Sequence, residues 1–99
     1  MQPPKVKFLT KIFHPNIDWR TGEVCIDILK SEWSPMWNVM SLEAAISSIL
    51  MDPNADSPLN CDAGNMIRGG DLVGFRSTAR LCAKTYGISK KEYEAIFED

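Results

Sequence analysis

Three cysteines, one histidine and a few amides and carboxylates are the residues of this 99-residue chain that could do chemistry. Cys25 stands three residues after Gly22, between the apolar Val24 and Ile26. Cys61 falls in a polar stretch beside Asp62, whose carboxylate disfavours a thiolate. Cys82 lies on the apolar stripe of a helical pattern, where a free cysteine is normally packed. That leaves Cys25 as the candidate nucleophile, although taken alone it reads first as a buried strand cysteine. His14-Pro15-Asn16, a turn ahead of the cysteine strand, moves the balance towards chemistry, because a carboxamide is a neutral oxyanion donor of the kind acyl transfer needs. His14 invites a Cys–His dyad, but a histidine before proline sits in a constrained turn where imidazole more often satisfies backbone groups, and geometry decides between the two.

Other chemistries find little support. Three is an odd number of cysteines, and Cys25, Cys61 and Cys82 form no CxxC pair, so neither a zinc site nor a disulfide framework is expected, and no metal. Lys and Arg total 11 against 13 Asp and Glu, for a formal charge of -2. With the cations scattered, nucleic acid is not expected as a partner. No apolar stretch approaches the roughly 20 residues that span a bilayer, and the first residues lack the order of a secretory signal. The expectation is one soluble domain, residues 1–99, in a reducing, cytoplasmic setting.

The elements that must position Cys25 follow from periodicity. Val6 and Phe8 alternate within 5–10, and Val24, Ile26 and Ile28 within 23–29, which predicts two short strands. Between them lies a polar turn at Asp18-Trp19-Arg20-Thr21-Gly22. Ser41 is a candidate N-cap, with Glu43 in the first turn of a largely buried helix whose Leu42, Ala45, Ile46 and Ile49 share one face, up to Asp52-Pro53. Residues 52–70 read mostly as loop, with one helical turn near 63–67. Asp71 caps the next helix, where Leu72, Phe75, Ala79, Cys82 and Tyr86 form the strongest periodic stripe in the chain. Gly87 stops it, and Ser89 with Glu92 forms a capping box that opens a last helix, with Tyr93, Ile96 and Phe97 on one side. Short antiparallel strands followed by helices make the fold class α+β.

His14-Pro15-Asn16, Gly22-Glu23-Val24-Cys25-Ile26-Asp27-Ile28-Leu29, Trp33-Ser34-Pro35, Asp52-Pro53-Asn54 and Ser57-Pro58-Leu59 stand in this order along the chain. In that order they resemble the catalytic core of ubiquitin-conjugating enzymes, from Met1 to about Tyr86. Ser57 to Asp62 and Gly64 to Asp71 are most similar to the peroxisomal branch of that family, the peroxin that ubiquitinates import receptors.

The resemblance implies the ubiquitin-conjugating fold and an acyl transferase. Cys25 would take ubiquitin as a thioester from the ubiquitin-activating enzyme and pass it to a lysine or cysteine of a substrate. It implies no resident cofactor, ATP being used by the activating enzyme. Asn16 would stabilise the oxyanion or brace the neighbouring loop. Ser57 and Asp56 would stand at the gate near the attacking amine, where Asp56 would hold or deprotonate the amine or cap its loop. Leu59 would flank the cysteine, and His14 would be structural. Met1, Pro35 and Met36 would contact a RING-type ligase, and Trp37, Ala44 and Ser48 the donor ubiquitin. Localisation would be cytoplasmic, peripheral on the peroxisomal membrane through an anchor protein.

Two departures stand out. Cys25 is the eleventh residue after His14 where the family often has the tenth, so a local bulge is expected near Trp19-Arg20-Thr21. A family domain begins with a helix and two strands before Pro3-Pro4, and this chain has neither, which makes it a partial core with an open strand edge. The alternative to an enzyme is a catalytically incomplete module that binds ubiquitin and a ligase. A Cys25–His14 hydrolase has little left once Trp33-Ser34-Pro35 and Ser57-Pro58-Leu59 are counted.

Overall fold

Residues that alternate along a strand need a partner for their backbone, and the first segment finds it near Gly22. In the computed structural model, which describes residues 5–25, 36, 38–56 and 58–95, the Phe8 amide donates to the Gly22 carbonyl at 2.8 Å and the Val24 amide to Val6 at 3.0 Å. On its other side the segment 23–25 pairs with 16–18. Asp18 N–H donates to Glu23 O and Cys25 N–H to Asn16 O, both at 2.9 Å. The chain around Glu23 and Val24 therefore lies between two antiparallel neighbours, joined by the isolated bridges Lys7↔Glu23 and Ile17↔Val24. The two expected strands appear as bridged extended segments, with 16–18 added as an unforeseen third. Residues 26–29 of the second lie outside the described residues.

The turn at 18–22 closes this meander. Asp18 Oδ1 accepts the amides of Arg20 at 2.8 Å and Thr21 at 3.0 Å, an Asx-type arrangement. Gly22 N–H returns to Asp18 O at 2.9 Å. Gly22 has φ +79, and a Cβ there would run into the Phe8 carbonyl oxygen, so only glycine fits.

Four helices occur among the described residues: α1 (Val39–Met51), α2 (Cys61–Arg68), α3 (Leu72–Tyr86) and α4 (Lys90–Ala95). The cap of α1 corrects the sequence expectation. Asn38 is the N-cap, its Oδ1 accepting from Ser41 N at 2.9 Å, and there is no acidic residue in the first turn. Ser41 sits inside the helix because a cap accepts from the amide three residues on. The helix is also less buried than expected: only Ile49 is fully covered. Residues 61–68, expected as a single turn, form an eight-residue helix capped by Asn60. Gly64, inside this helix, is there for contact, since a Cβ would stand 2.7 Å from the Pro58 ring. A Schellman closure ends α2, with Gly70 N–H to Ile67 O at 3.1 Å and Asp71 N–H to Met66 O at 2.8 Å. α2 and α3 pack together.

Asp71 caps α3 as expected, accepting from Gly74 N at 2.9 Å, and Gly87 stops it. The α3 stripe covers residues 11–19. Cys82 is buried with its thiol on Lys11 O at 3.4 Å, Phe75 meets Phe13, and Tyr86 meets Trp19. Leu72 and Tyr86, at its two ends, remain about half exposed. Ser89 and Glu92 form the expected cap of α4. Ile96, Phe97 and the side chain of Tyr93 lie outside the described residues. The core is Ile17, Val24 and Ile49, with Val6, Phe8, Ile12, Leu42, Ile46 and Leu50 against it. No helix among the described residues is long and apolar enough to cross a membrane.

Candidate functional site around Cys25

The turn at 14–16 joins the surrounding segments. Pro15 O accepts two amides, Leu59 at 2.8 Å and Asn60 at 3.2 Å, which fixes the start of α2. Asn16 O accepts from Cys25 N, which fixes the cysteine backbone. Both ends of the Asn16 carboxamide go to one residue. Nδ2 donates to Asn54 O at 2.7 Å and Oδ1 accepts from Asn54 N at 2.9 Å. A buried amide with both ends bonded is satisfied, and Asn16 is only 1% exposed.

His14 ties this turn to α1. Its Nδ1 accepts the Asn16 amide at 3.0 Å, so the ring proton lies on Nε2, which faces Ile49 O at 3.0 Å. Burial pushes the imidazole pKa below its ordinary 6.5, against the opposing pull of the Ile49 and Leu50 carbonyls. Both ring nitrogens are committed to backbone, which leaves no acceptor for a cysteine proton. That geometry leaves no place for the Cys25–His14 dyad.

Cys25 itself is buried at 7% exposure, as a strand cysteine would be. Leu59, held by Pro15, is 43% exposed. Asp56 lies on the surface, its amide donating to Asn54 Oδ1 at 3.0 Å. The capping group of that loop is thus the Asn54 side chain, and the Asp56 carboxylate has no hydrogen bond among the described residues. Ala44 and Ser48, one helical turn apart on α1, are both exposed. Met36 is exposed as well. Met1, Pro35, Trp37 and Ser57 lie outside the described residues.

Two residues of the site have roles that the sequence did not assign them. Asn54 receives the Asn16 side chain on its backbone while holding Asp56 with its own, and Asn60 is a buried cap. Asn60 had a legible signal, an asparagine ahead of a helical segment. Asn54 stood in the Asp52-Pro53-Asn54 motif, but its bond to Asn16 had no signal, because backbone groups pair with a distant side chain without regard to residue type.

The sequence model of the family described as "Ubiquitin-conjugating enzyme" matches residues 1–83. The curated relatives include Protein PEROXIN-4 of Arabidopsis thaliana, 52% identical over 91 residues that make up 92% of this chain and 58% of the relative. Another is ubiquitin-conjugating enzyme E2 pex4 of Dictyostelium discoideum, 54% identical over 87 residues, 88% of this chain and 58% of the relative. Among solved structures, the H. polymorpha ubiquitin conjugating enzyme Pex4p, crystallised with the soluble domain of Pex22p, superposes with a TM-score of 0.71 at 36% identity, covering 85% of this chain and 45% of that one. A Plasmodium yoelii chain described as a ubiquitin conjugating enzyme gives a TM-score of 0.75 at 39% identity, covering 89% and 56%. The chain thus spans somewhat over half the length of the curated relatives named here.

Proposed function

The chain belongs to the ubiquitin-conjugating enzyme family, and from that premise we propose that Cys25 carries ubiquitin as a thioester between an activating enzyme and an acceptor. The observation that carries this reading is the double use of Asn16, whose carbonyl holds the Cys25 amide while its carboxamide holds the loop at Asn54. One residue sets the position of the cysteine against the loop that leads to Asp56.

Two acyl transfers follow. The Cys25 thiol gives up its proton and its sulfur attacks the carbonyl carbon of the incoming thioester, expelling the thiolate of the activating enzyme. A substrate amine or thiol then attacks the new thioester and expels the Cys25 thiolate. Thiolates are both good nucleophiles and good leaving groups, so neither transfer needs a strong base at the cysteine. That accords with a histidine bonded to backbone on both nitrogens. ATP is consumed upstream, and no resident cofactor enters. Asn16 serves as a positioning residue. The exposed Asp56 receives the acceptor amine, together with Ser57.

The outer face of α1 at Ala44 and Ser48, with Trp37, receives the donor ubiquitin. Met36, with Pro35 and Met1, meets a RING-type ligase. Similarity to relatives named as peroxins, and to a Pex4p crystallised with Pex22p, supports work at the cytosolic face of the peroxisome with a membrane-anchored partner and import receptors as substrates. The test is incubation with activating enzyme, ubiquitin and ATP, reading adduct mass with and without reductant. A single reducible adduct is expected, and Cys25→Ser should convert it to a reductant-resistant oxyester. A reducible adduct that survives Cys25→Ser, or the lack of any adduct on the folded chain, would sink the assignment.

A further inference from the structure

The turn at 18–22 also walls an open groove. Its other wall is the segment 7–11, and among the lining residues are Lys7, Leu9, Lys11, Trp19, Arg20 and Glu23. We propose that this groove docks an extended acidic segment of a partner protein, with alternating carboxylates and apolar side chains, apart from the thioester chemistry.

Charge is the first argument. The whole chain is acidic, at -2, yet the groove lining sets three cations against the single carboxylate of Glu23. The charge of the lining is thus opposite in sign to that of the whole chain even with the neighbouring Asp18 counted, a balance that favours an anionic partner at this face. Lys7 and Arg20 are exposed, and neither side chain is hydrogen-bonded among the described residues; Arg20 lies in the field of the Asp18 carboxylate, with which a ligand carboxylate would share it.

Preorganisation is the second. The Trp19 ring is fixed from two directions, edge-on against Tyr86 at 5.9 Å and under the Lys11 ammonium at 4.7 Å, while Lys11 Nζ also donates to Trp19 O at 2.8 Å. Trp19 nevertheless keeps 36% of its surface exposed, and Leu9 at the groove is 94% exposed. A rigid indole beside a bare leucine offers apolar contact at little ordering cost, which is what an interface anchor needs.

The same features argue against an anionic membrane. Lipid-binding patches carry about four to eight clustered cations, whereas this groove has three and a carboxylate in its wall. A peptide can place its carboxylates on Lys7 and Arg20 and turn an apolar residue to Leu9 and Trp19, leaving Glu23 untouched.

The test uses an acetylated octapeptide of alternating Glu and Leu, its Gln/Leu counterpart, and phosphatidylserine vesicles, each titrated into the 15N-labelled chain by NMR. Amide shifts confined to 7–11 and 19–23 are expected for the Glu peptide, with at least about tenfold weaker binding of the Gln peptide and weakening by added salt. Lys7→Glu and Arg20→Glu, both at exposed positions, should weaken the Glu peptide by about tenfold together. Their circular dichroism and their loading with ubiquitin should stay unchanged. Equal binding of the two peptides, shifts elsewhere, insensitivity to the charge reversals, or tighter binding to vesicles than to peptide would each overturn the proposal. Loading by Cys25 is read separately, so failure of the docking site and failure of the thioester assignment give different results.

Discussion

Asn16 commits both ends of its carboxamide to the backbone of Asn54, so its removal orphans a donor and an acceptor at once. Asn16→Ala should lower stability by about 1–3 kcal/mol, seen as a fall in Tm and a slower discharge to amine. A true oxyanion donor would behave differently. Its loss would cost about 3–4 kcal/mol in the transition state and leave Tm alone. Discharge that collapses at unchanged Tm would therefore remove Asn16 from the bracing role. His14, the sole histidine of the chain, makes a prediction in pH. Its folded pKa lies below the ordinary 6.5 because burial disfavours the cation. Between those two values the unfolded chain binds the extra proton and the folded chain does not, so stability falls as pH falls. Full stability should hold above about 6.5 and decline below it, and His14→Gln should flatten that limb of a Tm-against-pH curve. An unaltered limb in the variant would assign the acid sensitivity elsewhere. The Asp18 carboxyl, held below its ordinary 3.8 by the Thr21 and Arg20 amides, titrates below the range of the histidine and does not confuse the measurement. At this scale the residue types were legible and the bonds were not. His14 and Asn16 were visible as a pair, but which atoms they satisfy depends on Ile49 and Asn54, 35 and 38 residues away.

Helix boundaries show where local chemistry suffices and where it misleads. Asp71, Gly87, Ser89 and Glu92 were legible because caps act within three or four residues. Asn38 was missed because Ser41, three residues on, has the same capping chemistry and stands nearer the apolar run. The structure reverses their roles, with Asn38 Oδ1 accepting both the amide and the hydroxyl of Ser41. Asn38→Ala should therefore cost about 1 kcal/mol, and Ser41→Ala clearly less, by chemical denaturation. The opposite ranking would restore Ser41 as the cap. In α2, the prolines and glycines of 52–70 favour loop over helix, but at Gly64 tertiary contact with Pro58 overrides the poor propensity of glycine. Gly64→Ala should destabilise despite alanine being the better helix former, since the Pro58 ring must move to admit a methyl group. A gain in Tm would show that the ring yields freely.

At the scale of the whole molecule, the apolar core and the candidate site use the same short stretches of chain. Ile17 directly follows Asn16 and bridges to Val24, which directly precedes Cys25. Those two core residues pack with Ile49, whose carbonyl holds His14. The extended segments alternate between core-facing side chains and the backbone bonds that place Cys25, so the site cannot loosen while the core stays intact. Periodicity made this core legible in part, through Val6, Phe8, Val24 and Ile49, but not Ile17, whose segment is too short to show a period. Ile17→Ala, at a residue 1% exposed, should cost about 2–5 kcal/mol against a total of about 5–15 kcal/mol for an ordinary domain. The loss should appear in folding and in ubiquitin loading together. Across a urea series, the fraction of Ile17→Ala that loads should follow the fraction folded by circular dichroism, at a midpoint well below that of the unsubstituted chain. Cys25→Ser should show the complementary pattern, an unchanged midpoint with the reducible adduct gone. Loading that persists in Ile17→Ala after the ellipticity is lost would mean that Cys25 is positioned by something other than this core.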